Sequence, residues 1–580
     1  MHTTLIEVPR MAFPLNHASN VVVAPLGIAY IAASIEAAGH QVNVIDAIGE
    51  GMTEYTPFGP VYLRGLPFRE IVKRIDPHTD VIGVSNMFSC GWLATRQLLH
   101  LIHKAHPTKP IVFGGEHPTG MPDLTMQESP VDYICMGEGE ETIVDLLGHI
   151  SSGSKPASTI AGICYRDGDK AIQTPRRARI RDIDAIPEPA WHHFRIDDYI
   201  NLGQPHGAVK GRYMPMLATR GCPYKCSFCT SPQMWTQKWV ARDYRKVVDE
   251  MEKYIGRYNV TDFHYEDLTA IVRRDWILNF AGEIQRRGLK VTYQLPSGTR
   301  SEAINKEVAT ALKQSGCSDF PFAPESGDKR ILKAIHKAVK LDSLFVAANQ
   351  AIEGGINVTC NFIFGFPEDD WLSLFNMYKM ILRCAWGGFA GVNINAYSPQ
   401  PNTESFNALR KAGKIPELDD KYFLSLFTFQ SFFVKKTSYN DRFSSWQITL
   451  FILFGFLMFH AVSFALRPKK LLHLVKSLSA NDTEDKQTSY ARSMLWELRR
   501  IWLFRRQLKR GDFSFASADQ DLPVPRLQSG VIQHVILGGA PVASDLVAIQ
   551  KAVGPPPSLP EVSPEQIDTV EAKVETILKR

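Results

Sequence analysis

The sequence has almost no imbalance of charge. Against 65 Lys and Arg stand 60 Asp and Glu, a net of +5 over 580 residues, too little to hold the phosphates of a nucleic acid, so no nucleic-acid partner is expected. No G-x-G-x-x-G follows the first apolar run, which disfavours a dinucleotide. Met1-His-Thr-Thr has no basic segment leading into an apolar one, so no secretory leader is expected and the compartment is expected to be reducing. Cysteine is scarce, nine in all, and three of the nine crowd one loop with no fourth Cys or His close by. The other six (Cys90, Cys135, Cys164, Cys317, Cys360, Cys384) are scattered, mostly in apolar runs, as buried reduced thiols are. What is present is ordinary: 44% apolar and 22% charged residues, enough for about two to four domains with their own cores.

The crowded loop, residues 220–230, reads Arg-Gly-Cys-Pro-Tyr-Lys-Cys-Ser-Phe-Cys-Thr and carries Cys222, Cys226 and Cys229. A cubane iron–sulfur cluster takes four thiolates, so three leave one iron open to another ligand. A zinc knuckle would need its fourth ligand nearby, and His206 and His264 are wrongly placed for that. An odd trio cannot pair off as disulfides. The spacing CxxxCxxC, with Phe228 before the last cysteine, resembles the signature of radical S-adenosylmethionine enzymes. That resemblance implies a [4Fe-4S] cluster whose open iron chelates the amino and carboxylate groups of S-adenosylmethionine and whose electron splits the sulfonium.

In residues 1–165, apolar runs at 4–8, 41–45, 81–85, 110–113 and 131–135 alternate with helical stretches, the first of them at 26–39 with a glycine stop. This pattern predicts a parallel, doubly wound sheet, with ligands beyond the carboxyl ends of its strands. Those ends carry Asp46, Ser85, Gly114-Gly115-Glu116-His117 and Gly137-Glu138-Gly139-Glu140. Together with the PLG start at Pro25, they resemble the cobalamin-binding domain found ahead of radical S-adenosylmethionine barrels. The resemblance makes Ser85, Gly114, Gly115, His117, Gly137 and Glu138 candidate cofactor residues. The cobalamin motif DxHxxG is missing after the first strand. His117 then stands either as a substitute cobalt ligand or as a hydrogen-bonding turn residue, and a Rossmann-like domain without its ligand is a further reading.

Residues 166–210 form an extended linker, with a hairpin around Asp167-Gly168, two prolines at Pro187 and Pro189, and an arginine cluster (Arg176, Arg177, Arg179) read as a solvated face. Six strand–helix units follow in residues 211–412, with helices expected at about 244–256, 273–286, 303–314, 329–354 and 369–386. They predict an open, partial (βα)6 barrel with its chemistry at the strands' carboxyl ends. There lie Glu266-Asp267, Ser297, Arg300, Glu325-Ser326-Gly327, Gly365-Phe366-Pro367 and Tyr397. Glu325 and Ser326 resemble the element that meets the amino group and ribose of S-adenosylmethionine; Gly365 and Tyr397 resemble elements near the adenine. A guanidinium fork at Arg300 suits the carboxylate, and Glu266-Asp267 orients substrate or caps the next helix.

Residues 413–510 are apolar and basic. The run 448–466 has no charge and reaches roughly 19 residues, near the minimum for crossing a hydrocarbon core, and residues 494–506 form a basic amphipathic segment. Two readings stand: a membrane-associated or spanning helix on the cytoplasmic side, or a helix packed on the barrel. Residues 511–580 are expected to be weakly ordered up to a short final helix. The resemblance as a whole implies a cobalamin-dependent radical methyltransferase acting on an unactivated carbon of a hydrophobic small molecule, with a low-potential donor such as flavodoxin or ferredoxin. A radical cyclase of the anaerobic magnesium-protoporphyrin ester type and a non-catalytic cobalamin sensor are the alternatives.

Overall fold

The computed structural model describes residues 1–472 and 474, apart from 13–20, 59–60, 154 and 431–434. All five expected strands of the first segment form, in the spatial order Tyr133–Cys135, Ile111–Gly114, Val81–Ser85, His2–Glu7, Gln41–Asp46, and all are parallel. They run apolar because helices cover both faces. The linker hairpin Ile163–Asp167 and Lys170–Gln173 extends this sheet antiparallel from Tyr133–Cys135. A small three-stranded sheet of Arg10–Ala12, Val61–Arg64 and Tyr55–Phe58, not anticipated from the sequence, lies beside it.

The second half is a sheet of six parallel strands paired strictly in chain order: Tyr213–Met216, Asp262–Tyr265, Thr292–Gln294, Cys317–Glu325, Asn357–Phe364 and Gly391–Ala396. First and last strands do not pair, so the barrel is open as expected. Alternation along the strands sorts the side chains. Phe263, Tyr265, Val358, Cys360 and Phe362 are buried in the apolar core, which leaves Asp262, His264, Thr359 and Asn361 on the opposite, inward face.

One helix differs from expectation. The stretch 329–354 is two helices, Lys329–Ala334 and Leu341–Glu353, broken at His336, whose φ is +53°. Neither Gly nor Pro marks the break. It turns Lys337 and Ala338 toward the cysteine loop.

The apolar run forms a helix, Ser445–Leu466, opened by a capping box of Ser444 and Gln447. It lies along the barrel: Gly455 sits against Ile381 and Ile394, and Ile448 against Gly365. Both ends are tied down. Asn440 Nδ2 donates to the carbonyls of Phe366 (2.7 Å) and Asp369 (2.8 Å) ahead of the helix. Beyond it, Arg467 donates to Ala385 O (2.9 Å) and Trp386 O (2.8 Å), and Lys470 Nζ to Ala390 O (2.8 Å). A helix clamped at both ends to a folded barrel cannot also cross a bilayer. Of the two readings of 448–466, the described residues bear out the helix packed on the barrel. The basic segment 494–506 and the tail lie outside the described residues.

Because Asn440 also accepts from the Arg442 and Phe443 amides (2.7 and 3.0 Å), Asn440→Ala strands several buried polar groups. Urea unfolding is expected to show a loss of about 2–4 kcal/mol.

Candidate active site

The cysteine loop leaves the barrel after Tyr213–Met216 and is clasped by a two-stranded ribbon, Thr219–Arg220 against Val240–Ala241. Asp267, buried at the end of the neighbouring strand, accepts hydrogen bonds from Ala218 N (3.2 Å) and Thr219 Oγ1 (2.5 Å). Asp267 therefore fixes the chain as it enters the loop, and does not cap the following helix. Burial pushes its carboxyl up to about 6. Thr269 Oγ1 donates to Cys222 Sγ (3.4 Å) and the Ser231 amide to Cys229 Sγ (3.5 Å).

Burial pushes the Cys229 thiol up to about 12, with Cys226, Glu116 and Cys222 adding to the rise, and burial also raises Cys226, where Lys337 and Arg300 pull the other way against Glu325 and Cys222. Three free thiols on one loop, with no fourth Cys or His beside them in the sequence, suit three corners of an iron–sulfur cube better than a zinc knuckle.

Arg220, two residues ahead of Cys222, is buried and bound by two carboxylates of the other half of the chain. It reaches Glu138 Oε1 at 3.3 Å and Glu140 Oε1 at 2.7 Å, with its guanidinium 5.0 Å from the Tyr30 ring. Glu138 also takes Arg179 Nε (2.6 Å) and the Ile180 amide (3.0 Å). Two expectations change here. Glu138 is consumed by arginines and does not face a cofactor, and Arg179 is buried in an ion pair and not on a solvated face.

Glu325 ends the fourth strand with φ at +69°, a strained backbone for a residue with a side chain, and its Oε1 accepts from Lys337 Nζ at 2.9 Å. The helix break supplies that lysine, which sequence reading missed because nothing in residues 335–340 marks it. Ser326 is fully buried and its Oγ accepts from the Asp328 amide (3.2 Å). Arg300 is also committed: it pairs with Glu302 (2.8 Å), donates to Ala338 O and lies 3.8 Å from the Tyr224 ring. It buttresses the loop, and its fork is not free for a carboxylate. Ser297 is half-buried beside Gly298, whose φ is +120°. Phe228 packs edge-on against Phe366 (5.6 Å), and Tyr397 lies over the other side of that ring (5.0 Å).

The carboxyl edge of the first sheet faces the loop. Gly115, at φ +125°, must be glycine, since a Cβ there would stand 2.2 Å from Asn86 O. A Cβ on Gly114 would meet nothing within 4 Å, whereas one on Gly137 would touch Met234 O at 3.7 Å. Ser85 is half-buried, Asn86 Nδ2 is buried without a partner, and Met87 and Phe88 are exposed. An open glycine, an orphaned amide and exposed apolar side chains suit a large, flat ligand with amide groups. Glu116 accepts from Thr230 Oγ1 (2.8 Å) across the gap, and burial pushes it up to about 7.

Of its two readings, His117 takes that of a hydrogen-bonding turn residue. Its ring is fully buried, stacked 4.6 Å from Trp92 and edge-on to Phe423, with Nδ1 at Ser89 Oγ (3.1 Å). An enclosed ring of this kind packs the underside of the loop and does not reach out to a metal.

Polar groups line the barrel's inward face. Asp262 pairs with His264 (2.9 Å) and Gln294 (3.0 Å), and Gln294 bonds Ala208 of the linker (2.9 Å), closing the floor. Above it Asn393 Nδ2 donates to Asn361 Oδ1 (2.8 Å), Asn395 is half-buried, and Glu266 meets His206 (3.1 Å) with its Oε1 left unpartnered.

Comparison with known proteins agrees with this geometry. Residues 15–147 match the B12 binding domain family and residues 216–381 the Radical SAM superfamily. The chain is 29% identical over 429 residues to cytidylyl-2-hydroxyethylphosphonate methyltransferase of Streptomyces wedmorensis, covering 69% of this chain and 80% of that one. To the anaerobic magnesium-protoporphyrin IX monomethyl ester cyclase of Cereibacter sphaeroides it is 27% identical, covering 67% and 60%. Its fold resembles that of the radical S-adenosylmethionine methyltransferase TsrM from Kitasatospora setae, solved with cobalamin and a [4Fe-4S] cluster bound, at a TM-score of 0.56 and 16% identity over 71% of this chain and 75% of that one.

Two substitutions test the site. Cys226→Ala is expected to abolish the charge-transfer absorbance of anaerobically reconstituted protein. Glu138→Ala leaves Arg179 without its carboxylate in the interior and strips Arg220 of one of its two; urea unfolding is expected to show a loss of about 3–5 kcal/mol, with reduced iron retention measured alongside.

Proposed function

As the chain belongs to the radical S-adenosylmethionine enzymes that carry a B12-binding domain, we propose that it transfers a methyl group to an unactivated carbon of a small molecule held in the barrel. The observation that carries this reading is the pairing of a loop of three free thiols with a glycine-edged sheet end directly across from it.

In this reading Cys222, Cys226 and Cys229 hold the cluster. Glu325, tethered by Lys337, receives the amino group of S-adenosylmethionine, and Phe228, Phe366 and Tyr397 form the apolar wall beside it. Ser297 is the polar group left free at the third strand's end. Gly114, Gly115, Gly137, Ser85 and Asn86 border cobalamin. When bound, these groups supply a 5′-deoxyadenosyl radical that takes hydrogen from carbon and a methyl group that replaces it. The chain's own part is to orient and enclose. The Asp262–His264–Gln294 floor shuts water out from below, and Asp267 and Arg220 hold the loop above. The enzyme needs a reductant, and a low-potential flavodoxin or ferredoxin in a reducing compartment meets that need.

The inward face revises the expected substrate. A wholly apolar molecule would leave Glu266 Oε1 and the hydrogen-bonding capacity that the Asn361–Asn393 pair does not use unsatisfied on burial, at about 1–3 kcal/mol for each group, so a substrate with hydroxyl or amide groups beside the target carbon fits better. Cyclisation without methyl transfer remains the second reading, because the ester cyclase relatives share the same two domains.

Reduced anaerobically with methyl-labelled S-adenosylmethionine, the protein is expected to give both 5′-deoxyadenosine and labelled methylcobalamin with S-adenosylhomocysteine, even without substrate. Formation of 5′-deoxyadenosine alone would favour the cyclase. Glu325→Gln should keep its cluster absorbance and lose about tenfold in 5′-deoxyadenosine formation, the size of one charge-assisted hydrogen bond.

A further inference from the structure

The barrel's fifth helix, Trp371–Trp386, and the clamped helix Ser445–Leu466 lie side by side, and each presents an apolar stripe that is exposed among the described residues. On the first, Trp371, Phe375, Leu382 and Trp386 repeat at helical spacing and are 61%, 64%, 39% and 72% exposed. On the second, Trp446, Leu450, Phe454 and Leu457 do the same at 42%, 55%, 56% and 55%. Trp371 against Phe451 (5.9 Å) and Tyr378 against Phe454 (5.2 Å) weld the two stripes into one surface. Contiguous exposed apolar surface of this kind marks an interaction site.

We propose that this surface docks the enzyme, lying flat, onto an anionic lipid bilayer. Three features separate lipid from a protein partner. The stripe of Ser445–Leu466 carries no charged residue over its 22 residues, whereas protein interfaces carry about one hydrogen bond per 100–200 Å². Trp371, Trp386 and Trp446 stand at the two ends of the surface, and indoles at the border of an apolar face anchor at the headgroup level. Lys379 lies within the first stripe, between Phe375 and Leu382, and Lys469 follows the second helix; both are exposed, suiting anionic headgroups. The clamps at Asn440, Arg467 and Lys470 keep the helix parallel to the surface it meets. The upper end of the patch adjoins the barrel mouth, since Ile448 contacts Gly365 at the fifth strand's end. The inference stands independently of the methyl-transfer reading.

Flotation of the full-length, anaerobically reconstituted protein with phosphatidylcholine vesicles, with and without phosphatidylglycerol, tests it. The protein should float with vesicles, more strongly with the anionic ones. The double variant Phe375→Glu with Phe454→Glu should lose about tenfold or more in partitioning, as expected for charges placed at a lipid contact. Cluster absorbance, cobalamin content and S-adenosylmethionine cleavage in buffer should be unchanged in that variant, which shows that it is folded and separates this result from any failure of the proposed reaction. Three outcomes overturn the inference. The wild type does not float, the double variant floats as the wild type does, or sedimentation shows a vesicle-indifferent dimer that the double variant dissociates.

Discussion

The structure depends on a buried ionic knot. Arg220 reaches back from the cysteine loop to Glu138 and Glu140 at the edge of the first sheet, and Arg179 of the linker completes the contact. Buried charges tolerate no vacancy, because an uncompensated ion in the interior costs several kcal/mol. The knot therefore does more than add affinity between two halves. It restricts how those halves can meet, since only one arrangement satisfies all four groups. The Asp267 brace, the Arg300–Tyr224 buttress and the Thr230–Glu116 contact all act on a loop whose position the knot has already limited.

How far the sequence could be read follows from the kind of signal each feature leaves. Strands of a parallel sheet are continuous apolar runs, so all five in the first segment and all six in the barrel were legible. The cysteine spacing was legible for the same reason, being local. Roles that depend on which distant group a side chain meets were not. Glu138 and Arg300 look the same in sequence whether they hold a ligand or another residue, and here arginine takes the first while Glu302 and Ala338 take the second. His117 follows GGE as a ligand would, yet Trp92 and Phe423 enclose it.

Other features left no local mark. The break at His336 has neither Gly nor Pro, so a continuous helix was the reasonable reading of residues 329–354, and the Lys337–Glu325 pair went unseen. The polar inward face is spread one or two residues at a time over four strands and becomes visible only when register sets Asn361 beside Asn393. Hydropathy identified the helix Ser445–Leu466 but could not tell lying along a barrel from crossing a bilayer, because composition is the same in both. The polar ties at its two ends settle the difference.

The linker segment that closes the barrel floor makes the two halves architecturally inseparable. Ala208 is bonded to Gln294 through both its amide and its carbonyl, and Gly207 has no room for even a methyl group beside that glutamine. The tether joining the domains is thus also the stopper of the reaction chamber. Lengthening or rerouting it would uncork the chamber from beneath, so grafting this front domain onto a foreign barrel would transplant a lid that no longer fits its vessel.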